Sequence, residues 1–262
     1  MPARDISRMG AANVAITVSH SGQAVIEKCP VGEVEFRFYQ DAAAELNQAG
    51  IATPRLFSAD AILRKLRMEY IPHPVEQSVI ASDDVLTMLA HLHRYPVNAA
   101  WRYHTHSWTE IALEQSLGLL ALVDKSARKL RRFQRCSDGL FNDQSLVSGD
   151  SNAGNWGRRE NGELVLFDWE RFGKGSPAID LAPLIKGMGT TQAFMDLAER
   201  YCHLSCHHKV NELAREIAIA KAWIVTEVIV LLHERQKSAF PLYQKWYQEH
   251  LPGWLDSTLN ML

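Results

Sequence analysis

Ser148-Gly149-Asp150-Ser151-Asn152-Ala153-Gly154-Asn155-Trp156 runs directly into Gly157-Arg158-Arg159-Glu160-Asn161-Gly162-Glu163-Leu164-Val165-Leu166-Phe167-Asp168-Trp169-Glu170. Asn161-Gly162 is the strongest short-range signal for a two-residue hairpin turn, because both positions tolerate positive φ. Such a turn pairs Glu160 with Glu163 and, counted back along both strands, sets Asn155 opposite Asp168. Directly opposed residues point to the same face of a sheet, roughly 5 Å apart at Cβ. An amide oxygen and a carboxylate held so are ligands for a hard cation such as magnesium. Asp150 precedes them on a glycine-punctuated loop, free to act on a substrate proton. The competing reading is a surface hairpin with solvated polar residues at its open end.

Composition leaves room for such a site. A chain of 262 residues builds one large domain or two lobes around a cleft. Its hydrophobic fraction of 47% and charged fraction of 22% are those of an ordinary globular protein. A net charge of −2 gives no bulk attraction to nucleic acid or membrane. The segment Met1-Pro2-Ala3-Arg4-Asp5 lacks the apolar core of a signal peptide. The most apolar window, residues 217–232, is interrupted by Lys221 and Glu227 and falls short of a membrane span. The cysteines at 29, 136, 202 and 206 form no disulfide framework, so a reduced, cytoplasmic protein is expected.

Outward from the hairpin, the N-terminal part reads as strands plus one helix. Residues 13–19 alternate in the strand manner, His20-Ser21-Gly22 turns, and residues 23–29 form a second apolar strand. Phe36, Tyr39, Ala43 and Leu46 then follow helical spacing, and Gly50 supplies the stop. Residues 63–71 read as a strand pair, and Pro72 and Pro74 around His73 mark a hinge between lobes. Val85, Leu86, Leu89 and Leu92 form a helical stripe, residues 108–133 carry one long helical pattern, and helices resume from Thr190.

This layout resembles the aminoglycoside phosphotransferase and choline kinase family, relatives of the protein kinases. The resemblance implies a bilobal α+β kinase-like fold with a small antiparallel-sheet lobe (residues 1–71) and a mainly helical catalytic and acceptor-binding lobe (residues 72–262). Gly10-Ala11-Ala12-Asn13 is similar to the family's phosphate-covering loop, which makes Gly10 and Asn13 candidate nucleotide contacts. Lys28 matches the strand lysine that holds the α- and β-phosphates, with Glu35 as its ion-pair partner and Glu33 in reserve. Met68-Glu69-Tyr70-Ile71 resembles the hinge, where the backbone of Glu69 and Ile71 would meet adenine. Leu89-Ala90-His91-Leu92-His93 resembles a family helix with a leucine-histidine pair. Asp150 and Asn155 match the catalytic-loop pattern, and Asp168 matches the metal-binding aspartate, in Asp-Trp-Glu where protein kinases carry Asp-Phe-Gly. Pro177-Ala178-Ile179-Asp180 matches a hallmark whose aspartate braces the catalytic loop. One departure stands out: Ser148 replaces the histidine that usually precedes the catalytic aspartate by two.

The implied reaction is ATP- and magnesium-dependent phosphoryl transfer to a small-molecule alcohol, with Asp150 as base and Asn155 and Asp168 on the metal. For the acceptor, Trp223 and Glu227 share a helix face and suit a cation, and Glu170 stands close to the metal aspartate. A tryptophan at helical spacing among Ile and Val is more often a core residue. Cys202 and Cys206 lack a second pair at zinc spacing, and the six basic residues of 125–135 read as a solvated helix face. Two rival classes remain. Gly149-Asp150-Ser151-Asn152 resembles the nucleophile block of Gly-Asp-Ser-Leu esterases, although no Asp-x-x-His follows. A non-catalytic nucleotide-binding regulator on the kinase fold is the other.

Overall fold

In the computed structural model, which describes residues 12–18, 22–205 and 209–262 and the backbone of Arg4–Asp5, the first alternating run becomes a strand. It is β2 (Asn13–Val18), preceded by β1 (Arg4–Asp5) and followed by β3 (Ala24–Cys29). The helix expected after Lys28 runs from α1 (Glu33–Arg37) to α2 (Ala43–Gln48), with Gly50 beyond it at φ 83. Between them Phe38–Ala42 forms a π-helical turn, a form favoured at functional sites and unmarked in the sequence. That turn buries Phe38, Tyr39 and Ala42.

The expected strand pair within 63–71 is instead one strand, β5 (Lys65–Glu69), paired with an earlier one, β4 (Leu56–Asp60). Leu63 and Arg64 belong to their turn, where Arg64 takes φ 49. The five strands form an antiparallel sheet in the order β1-β2-β3-β5-β4. Next come β6 (His73–Pro74) and α3 (Asp83–Arg94), whose stripe Val85, Leu86, Leu89 and Leu92 is fully buried.

The long helical pattern of 108–133 is broken. It forms α4 (Glu110–Leu120) and α5 (Asp124–Arg135), because Ala121 closes α4 in the left-handed region at φ 47. Neither glycine nor proline marks that break, so periodicity ran through it. After α6 (Asp138–Asn142) come β7 (Leu146–Val147), β8 (Trp156–Arg158), β9 (Leu164–Leu166) and β10 (Gly173–Lys174). β6, β8 and β9 make one small antiparallel sheet, and β7 pairs with β10. The remainder is helical: α7 (Ala178–Leu181), α8 (Thr191–Ser205), α9 (Val210–Glu234) and α10 (Phe240–Thr258).

The hairpin register departs from expectation by one residue. Arg158 faces Leu164 and Trp156 faces Leu166, so Phe167, not Asp168, falls opposite Asn155 and donates its N–H to the Asn155 carbonyl at 2.9 Å. The cause is the turn. Gly162 donates to the Arg159 carbonyl and Arg159 to the Glu163 carbonyl, with Gly162 alone at positive φ (86°). This is a type I turn closed by a left-handed residue, a three-residue loop in place of the two-residue one.

Packing groups the chain into two compact units, Met1–Thr105 with Ser145–Lys174, and His106–Gln144 with Gly175–Leu262. In the first, Phe38 stacks on Trp169 with ring centroids 4.2 Å apart and Phe172 meets both edge-on. In the second, α9 is the central element, burying Ile217, Trp223, Ile229 and Leu232.

Candidate active site

Lys28 is the penultimate residue of β3 and is 6% exposed. The helix that follows returns Glu35 to it, and Lys28 Nζ donates to Glu35 Oε1 at 2.8 Å and to Asp168 Oδ1 at 2.7 Å. Of the two glutamates considered as partner, Glu33 is spent at the surface on Arg37 and Arg64. Burial alone would pull the Lys28 ammonium down. The carboxylates of Glu35 and Asp168 outweigh it and hold the ammonium above the usual lysine range. Glu35 is pushed up, first by burial, although Lys28 counters part of that rise.

Asp168 reaches Lys28 through a turn rather than through strand pairing. Beyond β9 the chain enters the left-handed region at Asp168, φ 65, a conformation that aspartate tolerates better than most residues.

The loop before the hairpin holds Asp150 from several sides. Asn152 Nδ2 donates to Asp150 Oδ1 at 2.6 Å, and Asn155 Nδ2 donates to the Asp150 carbonyl at 2.8 Å. Asn152 Oδ1 also accepts the Gly154 N–H at 2.8 Å, and a Cβ at Gly154 would stand 2.9 Å from that oxygen. Asn152 was not marked as a site residue; the Asp-x-Asn-x-Gly spacing of a side-chain-capped turn was its available signal. Burial raises the Asp150 carboxyl, the Asn152 hydrogen bond opposes this, and Asp168 and Glu170 add to the rise. A raised carboxylate is a stronger proton acceptor. Arg171, which acts on Asp150 in the other direction, also went unmarked.

Ser148, standing where a histidine was expected, is buried, and its Oγ lies 3.4 Å from the Asp150 nitrogen that donates to it. Ser151, the rival nucleophile, is fully buried, and its carbonyl accepts the indole N–H of Trp156 at 2.9 Å. It presents no exposed hydroxyl for an ester.

The other expected site residues spread more widely. Asn13 is exposed and pairs with Cys29, whereas Gly10 lies outside the described residues, as does Cys206. Glu69 ends β5 with its side chain clasped by Arg159 (2.7 and 2.9 Å) and Arg55 (3.1 Å). Burial favours its neutral form, but these guanidiniums outweigh burial and hold the carboxyl at about 2. Ile71 is half-buried, its Cγ2 2.7 Å from where a Cβ on Gly157 would stand, so β8 needs glycine there. Asp180 is fully buried in α7 of the second unit. Trp223 is 1% exposed, donates to the Ser107 carbonyl at 3.1 Å and packs edge-on against Phe141. It has taken the core role of the two open to it, and Glu227 is half-buried.

Among the described residues no group of three His, Cys, Asp or Glu side chains could hold a metal unaided. Asp168 and Asn155 offer one carboxylate and one amide oxygen, the donor types of an ion that, like magnesium, completes its shell with phosphate oxygens. Among the same residues no helix is long and apolar enough to cross a membrane.

Residues 6–217 match the model of the phosphotransferase enzyme family. Comparison with curated protein sequences gives no match. Solved structures match over nearly the whole chain. A macrolide 2′-phosphotransferase type I is 18% identical over 94% of this chain and 90% of its own, with a TM-score of 0.68. The choline kinase LicA from Streptococcus pneumoniae, in complex with AMP, is 17% identical over 98% and 92%, with a TM-score of 0.67. Amicoumacin kinase hAmiN, in complex with AMP-PNP, Ca2+ and Ami, is 15% identical over 97% and 89%, with a TM-score of 0.64.

Proposed function

This chain belongs to the phosphotransferase enzyme family and is a small-molecule kinase, and we propose that it transfers the γ-phosphate of ATP, assisted by magnesium, to a hydroxyl of a cationic small molecule. The observation that carries the reading is the Lys28 ammonium held between Glu35 and Asp168 in the same unit as Asp150. Phosphoryl transfer asks a protein for positioning and charge stabilisation more than for covalent help.

In this reading Lys28 fixes the α- and β-phosphates, and Glu35 holds Lys28 in place. Asp150 accepts the acceptor's proton as its oxygen attacks, a contribution of about 10²–10⁴ in rate. Asn155 and Asp168 would hold magnesium, which when bound neutralises charge on the phosphates. Gly10 and Asn13 would cover those phosphates, and the backbone at Glu69 and Ile71 would receive adenine. Asp180 serves as the brace of the catalytic loop. Residues 1–71 form the nucleotide-binding lobe and 72–262 the catalytic and acceptor-binding lobe. The free thiols Cys29, Cys136 and Cys202 support a cytoplasmic location.

The acceptor's charge is inferred from the first unit. Glu35 feels the carboxylates of Asp168 and Glu170 against Lys28, and Asp150 feels the same two carboxylates against Arg171, so acidic groups are concentrated there. Glu170 has no cation as partner among the described residues, and we assign it to the acceptor's cationic group, with Glu227 as a second candidate. Choline-, thiamine- and aminoglycoside-like alcohols have this character.

Magnesium-dependent ADP release across choline, ethanolamine, thiamine, aminoglycosides, macrolides, methylthioribose and simple sugars tests the reading, with Asp150→Asn beside the wild type. An acceptor-dependent signal is expected, lost in Asp150→Asn while ATP affinity stays within about twofold. Equal turnover in the variant would remove Asp150 as base. ATP binding with no turnover on any acceptor would favour the regulatory reading.

A further inference from the structure

Two charged side chains of α9, Glu216 and Lys221, have no part in the chemistry above. Lys221 is 6% exposed in the second unit, and its Nζ donates to the Ile185 carbonyl at 2.7 Å. Burial drives its ammonium down to about 7, with no carboxylate among the described residues opposing it. One helical turn and a half earlier, Glu216 accepts a hydrogen bond from the hydroxyl of Ser176, which is itself fully buried. Burial raises Glu216 as well, and a Cβ at Gly139 would come within 3.3 Å of its Oε1.

The two contacts fall at the two ends of one short segment. Ser176 opens it: its Oγ accepts the Ala178 N–H at 3.1 Å and its own N–H donates to the Leu140 carbonyl at 2.8 Å. Ile185 closes it, as the residue that ends the 3-10 turn Ala182–Leu184. Between them lies α7 with Asp180 fully buried. Beyond Ile185 the chain turns through Gly187 and Gly189, both at positive φ, before α8 begins at Thr191.

A buried lysine that meets one carbonyl is a poor stabiliser. The cost of desolvating an ammonium exceeds the return from one hydrogen bond, and methionine would fill the same space without that cost. What the lysine supplies, and methionine cannot, is a fixed donor for a carbonyl at the end of a 3-10 turn. We propose that Glu216 and Lys221 are positioning residues, a two-point clamp by which α9 fixes Ser176–Ile185 and, with it, Asp180. The kinetic consequence rests on the kinase reading, in which Asp180 braces the catalytic loop; the structural consequence does not.

The test uses the full chain, with Lys221→Met and Glu216→Met made separately. Three quantities are measured: amide hydrogen exchange over residues 176–189, melting temperature, and kcat with KM for ATP on an acceptor found by the ADP-release panel. The clamp gives exchange at least about tenfold faster in that segment, and a melting temperature in Lys221→Met that holds or rises. It also gives a kcat lowered about tenfold or more with KM for ATP within about twofold, since small misplacements near a reacting centre are costly. Unchanged exchange overturns the proposal, and so does faster exchange with unaltered kcat. A lower melting temperature with unaltered kcat assigns both residues to stability alone and also overturns it. If the wild type releases no ADP with any acceptor, the kinase reading fails by itself, and exchange over 176–189 decides the clamp.

Discussion

Lys28 in β3 and Lys221 in α9 are buried to the same degree, 6% exposed, yet their ammonium groups are moved in opposite directions. Burial works against the charge of both. At Lys28 two carboxylates stand at hydrogen-bond distance and reverse it; at Lys221 a lone carbonyl does not. Burial sets what a lysine costs, and its partners decide what it becomes. The first is a permanent cation. The second is a donor that can lose its proton near neutrality without losing its hydrogen bond.

Replacing each lysine by methionine should separate them most. Lys28→Met leaves Glu35 buried with no counter-charge, a change that costs on the order of 3–5 kcal/mol when a buried pair is broken. Turnover should fall by at least about 10²-fold, because the phosphates lose their register. The stability loss should shrink toward pH 5, as Glu35, already raised, takes up a proton in the variant. Thermal melts at pH 7.5 and 5 would check this. A melt as mild as that of Lys221→Met would break the contrast.

The next effect belongs to Lys221 and depends on pH. Its folded value is about 7 against 10.5 for the free side chain, so between those values the unfolded chain binds a proton that the folded chain does not. Stability should therefore rise with pH across that window, by on the order of 4 kcal/mol relative to Lys221→Met. Chemical denaturation of both proteins from pH 6.5 to 10 measures the difference directly. Parallel curves would mean that Lys221 keeps its proton throughout.

A smaller effect is expected for Glu35→Gln. The amide keeps a hydrogen bond to Lys28 and removes a carboxylate that burial disfavours, so stability should stay within about 1 kcal/mol of wild type. Lys28 would then be held by Asp168 alone, and turnover should fall about tenfold. A stability loss as large as that of Lys28→Met would show that the carboxylate, not the ammonium, is the indispensable member of the pair.

Much of the frame around these lysines was legible because it is local. Strand alternation marked β2 and β3, helical spacing marked the run through Phe36, Tyr39, Ala43 and Leu46, and Gly50 marked its end. What escaped depends on single backbone states or on distant partners. Ala121 breaks a helix at φ 47 with no residue to announce it, and the π-helical turn at Phe38–Ala42 has no local signature. Asp168, which bonds to Lys28 across 140 residues of chain, was matched by resemblance; its left-handed turn was not foreseen. Lys221 read only as an interruption of an apolar window, since its burial follows from tertiary packing.

The smallest effect concerns the hairpin that delivers Asp168 to Lys28. Asn161-Gly162 suits both a two-residue turn and the three-residue loop, and the two differ by one residue in register. They also differ in which residues need positive φ. The two-residue type I′ turn needs it at Asn161 and Gly162, whereas only Gly162 has it here. A Cβ on Gly162 would meet nothing within 4 Å, so Gly162→Ala should cost only backbone strain, about 1–2 kcal/mol. Asn161→Ala loses the side-chain bond to the Glu163 N–H at 3.1 Å, an exposed contact worth about 0.5 kcal/mol. Asn161→Gly is more discriminating: glycine is favoured at a positive-φ site and costs entropy elsewhere. It should therefore destabilise by a few tenths of a kcal/mol in the three-residue loop and be neutral or better in the other. Stabilisation by Asn161→Gly would restore the register in which Asn155 faces Asp168. The left-handed turn at Asp168 would then no longer be needed to explain how its carboxylate reaches Lys28.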